Sequence, residues 1–329
     1  MNKKHIWIIL AFISSSLLIY NVIASKAENK KYKMSQFLDF ENDLPRDSIT
    51  KTIVIRHDPE TLFIKKHSYG IKPAKVIESI TFADMKVPIG RHDVYESLDR
   101  ELNVNTYWHS ATLLLIKRAG RWFPLIESIL KKNNIPEDFK YLALIESGLQ
   151  NIKSPAGAAG YWQFLSKTGK EYGLEIDSDV DERYHVEKAT EAACKYLNDS
   201  YEDFNDWFLV AASYNAGKRR IRESLEDQKV KTYFDLLLNS ETARYIYRIL
   251  AIKTIFENPH DYGFYLNKSD LYQPFKTKTV KVNYKIKNLV DFAQKHGTTY
   301  KMLKIYNPWL RKSYLKKERG KTFEILIPE

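Results

Sequence analysis

The sequence predicts a mainly α-helical body followed by a small α+β module of β-α-α-β order. Apolar residues recur at helical spacing from about residue 94 to about 256, and glycines and prolines interrupt that stretch where helices should end. A strand-like alternation then begins near residue 279. With 329 residues the chain has room for about two domains, and 44% hydrophobic content supplies a sizeable core. Collagen-like, coiled-coil and wholly disordered architectures are excluded on the same grounds.

In chain order, residues 1–27 read as a signal peptide or an N-terminal membrane anchor. Lys3 and Lys4 precede an apolar run from Ile6 to about Ala24, long enough to span a bilayer, and a polar segment follows at once. Ala24, Ser25 and Ala27 offer small residues for cleavage, and no cysteine follows the run, so a lipoprotein anchor is not expected. Residues 28–85 form an extension with scattered charge and with Pro45, Pro59 and Pro73, to which the pattern assigns no role. Helices are then predicted over 107–120, ending at Gly120, over 122–133, and over 137–147, ending at Gly148. Over 187–197, Ala189, Ala192, Ala193 and Cys194 fall at helical spacing, which predicts a tightly packed helix with Cys194 as a small core residue. A linker at 268–275 containing Pro274 leads to a separate module: strand 279–284, helices 289–296 and 300–306, strand 322–327.

Composition narrows the chemistry. Fifty-two Lys and Arg against 41 Asp and Glu give a net charge of +11, which favours an anionic partner such as nucleic acid, a membrane surface or an acidic wall polymer. The 22 Tyr and 6 Trp suit a flat ligand with polar edges, although most will be core residues. A single cysteine, Cys194, excludes an intramolecular disulfide framework and any cysteine-based metal cage. None of the eight histidines stands in a recognised ligand spacing, so neither a metal nor a cofactor is expected.

Three segments carry candidate chemistry. The helix over 137–147 is apolar from Tyr141 to Ile145, and the same-face neighbours of Glu146 are Ala143, Leu142 and Phe139. Desolvation and the negative helix end would both raise the Glu146 pKa, as a general acid for glycosidic cleavage requires; the alternative is an ordinary solvated glutamate. The loop from Pro155 to Gly160 is small and leads into Tyr161, Trp162, Gln163 and Phe164, an aromatic pair with an amide that suits a sugar or, equally, a core corner. Finally, Ser213, Tyr214, Asn215, Ala216 and Gly217 close an apolar helix with polar groups, as a cleft wall or a plain C-cap.

Taken together, Glu146-Ser147, Gly160-Tyr161-Trp162-Gln163, Ser213-Tyr214-Asn215-Ala216-Gly217 and Glu241-Thr242-Ala243-Arg244-Tyr245-Ile246 resemble, in order and spacing, the soluble lytic transglycosylase (SLT) domain of murein-cleaving enzymes. The family pattern is Glu-Ser, Gly-Leu-Met-Gln, Ala-Tyr-Asn-Ala-Gly and a later tyrosine. This chain departs from it at Tyr161, Trp162, Ser213 and Ile246. Trp162 followed by Phe164, with Asp181-Glu182-Arg183 and Asp206-Trp207, is similar to the membrane-bound lytic murein transglycosylase D subgroup. The resemblance implies a lysozyme-like helical SLT catalytic domain over 86–268, with peptidoglycan glycan strands as substrate and other cell-wall enzymes as further candidate partners. It implies cleavage of the β-1,4 bond between N-acetylmuramic acid and N-acetylglucosamine without water, with Glu146 as acid and then as base while the muramoyl C6 hydroxyl closes a 1,6-anhydro ring. It places Ser147, Gln163, Tyr214, Asn215, Tyr245 and Trp162 on the substrate side, with Tyr245 or Tyr214 hydrogen-bonded to the catalytic carboxyl. Asp177, Asp179, Asp181 and Glu182 are the nearest candidates for a second carboxylate, Asp181 pairing with Arg183 as structure.

Residues 275–329 resemble a LysM module, a binder of N-acetylglucosamine-containing chains, though Tyr284-Lys285-Ile286 stands where Gly-Asp-Thr is usual, so glycan binding and structural capping both stand. The expected location is the cell envelope, exported to the periplasm and anchored in the inner membrane if the N-terminal segment is uncleaved. Nucleic acid is not an expected partner, since no recognition motif accompanies the charge. The competing functions are a hydrolytic muramidase on the same fold and a non-catalytic peptidoglycan-binding scaffold.

Overall fold

The structure, a computed structural model, describes residues 71–316 and 320–329; the predicted segment 1–27 and the extension up to residue 70 lie outside the described residues. Residues 72–329 form one compact unit, mainly helical, with a two-stranded sheet in its C-terminal part. Among the described residues no helix is long and apolar enough to cross a membrane.

A short hairpin opens the unit: β1 (Thr81–Phe82) pairs antiparallel with β2 (Met85–Lys86). Its two turn residues, Ala83 and Asp84, both have positive φ, 50° and 63°, the hand that matches strand twist in two-residue turns. The Ala83 N–H donates to Asp138 Oδ2 at 2.8 Å, and the same oxygen accepts from Lys253 Nζ at 2.6 Å. One carboxylate thus ties the hairpin to the helices that follow.

Helices α1 (His92–Tyr107) and α2 (His109–Lys132) meet at Trp108. The prediction of two helices separated near Gly120 is corrected here: α2 runs unbroken through Gly120 and Pro124. Gly120 is an interior close-approach residue, because a Cβ there would lie 2.7 Å from Leu271 Cβ. The linker crosses α2 at this point, with the Tyr272 N–H on the Lys117 carbonyl at 2.9 Å and Arg121 Nε on the Gln273 carbonyl at 2.9 Å.

Helix α3 (Phe139–Ser147) lies at the centre, with Phe139, Tyr141, Leu142, Ala143 and Leu144 all buried, as an all-round apolar sequence requires. Gly148 ends it in the left-handed region at φ 60°, its N–H on the Leu144 carbonyl at 2.8 Å. After α4 (Ser166–Glu171) comes α5 (Val186–Phe204), whose small face with Ala189, Ala193 and Cys194 packs against α2 and α6 (Trp207–Ala216). Burial pushes the Cys194 thiol up to about 12, which makes it the inert core residue expected. Asp206 caps α6 by accepting from the Leu209 N–H at 3.0 Å. Helix α7 (Lys218–Gln228) follows, and α8 (Ser240–Glu257), capped by Asn239, packs against α1, α3 and α6.

The C-terminal part has the predicted β-α-α-β order: β3 (Thr277–Val282), α9 (Leu289–Lys295), α10 (Tyr300–Tyr306) and β4 (Phe323–Pro328). β3 and β4 are antiparallel, in register from Thr277↔Pro328 to Val282↔Phe323. The module is less separate than its sequence suggests. Its core of Val282, Leu289, Leu303, Leu310 and Ile325 also takes in Ala159, Val180 and Tyr184 of the helical body. Main-chain bonds cross the seam, Asp181 N–H to the Trp309 carbonyl at 2.9 Å and Arg311 N–H to the Asp179 carbonyl at 2.8 Å.

Candidate active site

A cleft of about 690 Å³ opens where the end of α3, the 154–165 loop, the end of α6 and the start of α8 converge. Glu146 stands in its wall, half-buried, in the last turn of α3. Its Oε1 accepts from Tyr245 Oη at 2.5 Å. Desolvation raises the Glu146 pKa, and the nearby Glu241 carboxylate adds to this; the Tyr245 hydrogen bond and the Arg248 charge oppose it, and the net direction is upward. Tyr245 is almost completely enclosed, and burial together with the Glu146 charge keeps its phenol protonated, so it stays a donor.

Tertiary structure separates two tyrosines that the sequence left equivalent. Tyr245 takes the carboxyl, whereas Tyr214 Oη donates to the Trp162 carbonyl at 2.7 Å and so holds the loop against α6. Asn215 lines the cleft beside Tyr214, accepting from Thr242 Oγ1 at 2.8 Å and donating to Glu241 Oε1 at 3.2 Å. Gln163 also lines it, in the left-handed region at φ 50°. Its amide nitrogen donates to the carbonyls of Gly160 at 2.8 Å and Ile152 at 3.2 Å, which presents the amide oxygen as the group left for a ligand. The strained backbone is maintained by the loop: a Cβ on Gly160, at φ 78°, would fall 1.7 Å from the Arg183 carbonyl oxygen.

Two predicted substrate-side residues are not brought to this cleft. Trp162 is fully buried, its indole N–H on Thr190 Oγ1 at 2.9 Å, so it supports the loop from beneath. Ser147 is buried too, its hydroxyl donating to the Tyr161 carbonyl at 2.7 Å. Both are consumed by the packing that fixes Glu146 and Gln163. The acids of 177–182 lie in the seam instead: Asp181 forms a two-bond pair with Arg183 at 2.9 and 2.7 Å, and Asp179 pairs with Lys316 at 2.9 Å. Sequence reasoning assigned no role to Glu241 or Arg248. Their signal was present, since Glu241, Tyr245 and Arg248 are spaced i, i+4 and i+7 on α8 and so share one face. Among the described residues no group of His, Cys, Asp and Glu is arranged to hold a metal ion.

Residues 124–236, which hold most of this constellation, match the family described as the transglycosylase SLT domain. Residues 278–329 match the soluble lytic transglycosylase C-terminal LysM-like domain. Among curated proteins, the chain is similar to membrane-bound lytic murein transglycosylase D of Escherichia coli, from strain K12 and from strain O6:H1, at 28% identity over 239 residues in each case. The match covers 70% of this chain and 51% of each relative, so the chain spans about half the length of the curated relatives it matches. Solved structures with a detectable likeness are the 70 kDa soluble lytic transglycosylase of Escherichia coli, at 23% identity and a TM-score of 0.36 over 42% of this chain and 24% of that one. A second is lytic transglycosylase Slt of Pseudomonas aeruginosa, at 20% identity and a TM-score of 0.36 over 46% and 26%. Glu146, Gln163, Tyr214 and Asn215 fall inside the SLT match, while Glu241, Tyr245 and Arg248 lie beyond its end.

Proposed function

We propose that this protein is a lytic transglycosylase acting on peptidoglycan in the cell envelope. The observation that carries the reading is the Glu146 carboxyl, half-buried in a cleft wall, raised in pKa by desolvation and oriented by Tyr245. A carboxylic acid whose pKa is raised holds its proton more tightly and can donate it to the glycosidic oxygen as the C1–O bond breaks. The resulting carboxylate then takes the proton of the muramoyl C6 hydroxyl as that oxygen bonds to C1, closing the 1,6-anhydro ring and restoring the acid. No water is consumed, and one carboxyl serves both steps. Gln163 and Asn215 hold the hydroxyl and N-acetyl groups of the strand along the cleft, and Tyr245 keeps the carboxyl aimed. The similarity to a relative described as membrane-bound supports an envelope location, and the LysM-like match supports glycan as the module's ligand.

A specific observation favours one other reading. Glu241 is a second carboxylate lining the same cleft, and a hydrolytic muramidase would use such a group to activate water. Mass spectrometry of fragments released from purified peptidoglycan separates the two. Products lighter by one water, without new reducing ends and absent with Glu146→Gln, are expected; reducing-end products would replace the transglycosylase by a hydrolase.

A further inference from the structure

Across Ile145 and Arg248, which stand in the walls of both, the catalytic cleft adjoins a second pocket of about 480 Å³. Its far side is built by the corner between α1 and α2, a stretch that precedes the SLT match: Trp108, 64% exposed, and Arg118. Gln150 and the end of α3 close it.

The chemistry of this pocket differs from that of the cleft. The described residues lining it include two guanidiniums, Arg118 and Arg248, and no carboxylate, whereas the cleft wall carries Glu146 and Glu241. Each guanidinium has five N–H donors. One from each is committed to a main-chain carbonyl at the end of α3: Arg118 Nη1 to Gly148 at 3.2 Å and Arg248 Nη2 to Ile145 at 3.2 Å. Those bonds orient the two planar forks around the helix end. Gly148 permits it, since a Cβ there would sit 3.2 Å from Arg118 Nη1 and 3.3 Å from Gln150 Nε2.

We propose that this pocket takes the acidic stem peptide of the strand whose sugars occupy the cleft. A carboxylate of the peptide pairs with Arg118 and Arg248, Gln150 meets its amides, and the face of Trp108 covers its aliphatic part. A neutral sugar brings no negative charge to two cations in a pocket lined by no carboxylate, while a peptide carboxylate matches a guanidinium fork. The inference rests on the peptidoglycan reading above. It adds that the enzyme distinguishes stem-bearing from peptide-free glycan, and that Trp108, Arg118 and Arg248 do so from outside the SLT match.

The test compares the full chain with its Arg118→Gln and Arg118→Lys variants on glycan strands that carry stems and on the same strands stripped by an amidase. Arg118→Gln is expected to raise KM about tenfold on stem-bearing strands and to change it less than about twofold on stripped ones, with Arg118→Lys in between. Equal losses on both substrates, or no loss on either, would overturn the proposal. In parallel, a synthetic acidic stem tetrapeptide is titrated calorimetrically into the Glu146→Gln chain with Trp108 intact or replaced by alanine. Salt-sensitive binding weakened by Trp108→Ala supports the site, and absence of binding refutes it. If the wild type cut neither strand while the peptide still bound, the transglycosylase reading would fall and the peptide site would stand.

Discussion

The candidate catalytic cleft and the seam between the helical body and the C-terminal module both contain half-buried or buried carboxylates, and they treat them in opposite ways. In the seam two acids meet cations: Asp181 faces Arg183 through two bonds, and Lys316 beside Asp179 lowers the pKa of that carboxyl. Arg183 also donates through Nη1 to the carbonyls of Gly157 and Phe164 at 3.0 and 3.1 Å. In the cleft, Glu146 receives one phenol, a cation at a distance, and a like charge from Glu241, and desolvation prevails. The contrast teaches that burial alone does not make an acid catalytic. A carboxylate paired with a cation is held as the anion; a buried one that is incompletely paired has its pKa raised, as a general acid requires.

Four measurements would break or sharpen this contrast. The largest effect is expected from Glu146→Gln, which should lower cleavage by about 10²–10⁴-fold. The same variant should be more stable than the wild type near neutrality, since glutamine carries no carboxyl whose ionisation burial opposes. The sign follows from the raised pKa: the folded state binds the proton more tightly, so the wild type loses stability as pH rises through the folded value, and the advantage of the variant should vanish in acid. Chemical denaturation at two pH values checks this.

Asp181→Ala should cost about 3–5 kcal/mol, because it strands the buried Arg183 guanidinium. Thermal unfolding would show it, with loss of protection from proteolysis across the seam. If stability were unchanged, the pairing would be incidental.

Tyr245→Phe should reduce kcat/KM by about tenfold through loss of aim, and should move the alkaline limb of its pH profile upward, because the hydrogen bond it removes favours the anion. A downward shift would assign the tyrosine a different role.

The last measurement, whose effect appears only in acid, concerns His185, which lies beside Trp309 at the seam, its ring centroid 6.0 Å away. Burial, aided by Lys188, pushes its pKa down to about 4 from 6.5. The unfolded chain therefore takes up this proton first, and stability should decline as pH falls from about 6.5 towards 4. His185→Asn should flatten that part of the curve.

Much of this was legible in the chain itself. The burial of α3, the caps at Gly148 and Gly217, and the β-α-α-β order follow from local periodicity and turn chemistry, which need only neighbours within a few positions. The unbroken course of α2 was not, because Gly120 is kept for the linker that crosses it about 150 residues later, a contact with no local signature. Within the site, the raised pKa of Glu146 was readable from its apolar helix face. The distinction of Tyr245 from Tyr214, and the withdrawal of Trp162 and Ser147 into the packing, was not.

By itself, then, the sequence determined which segments are helix or strand, which face of each is apolar, and that a glutamate ends the most buried helix. Tertiary structure alone decided which side chains spend their hydrogen bonds on the scaffold and which keep them for a ligand. The physical reason is that helical periodicity acts over a few residues, whereas partners such as Tyr245 and Glu146 are 99 positions apart and meet only when α3 packs on α8.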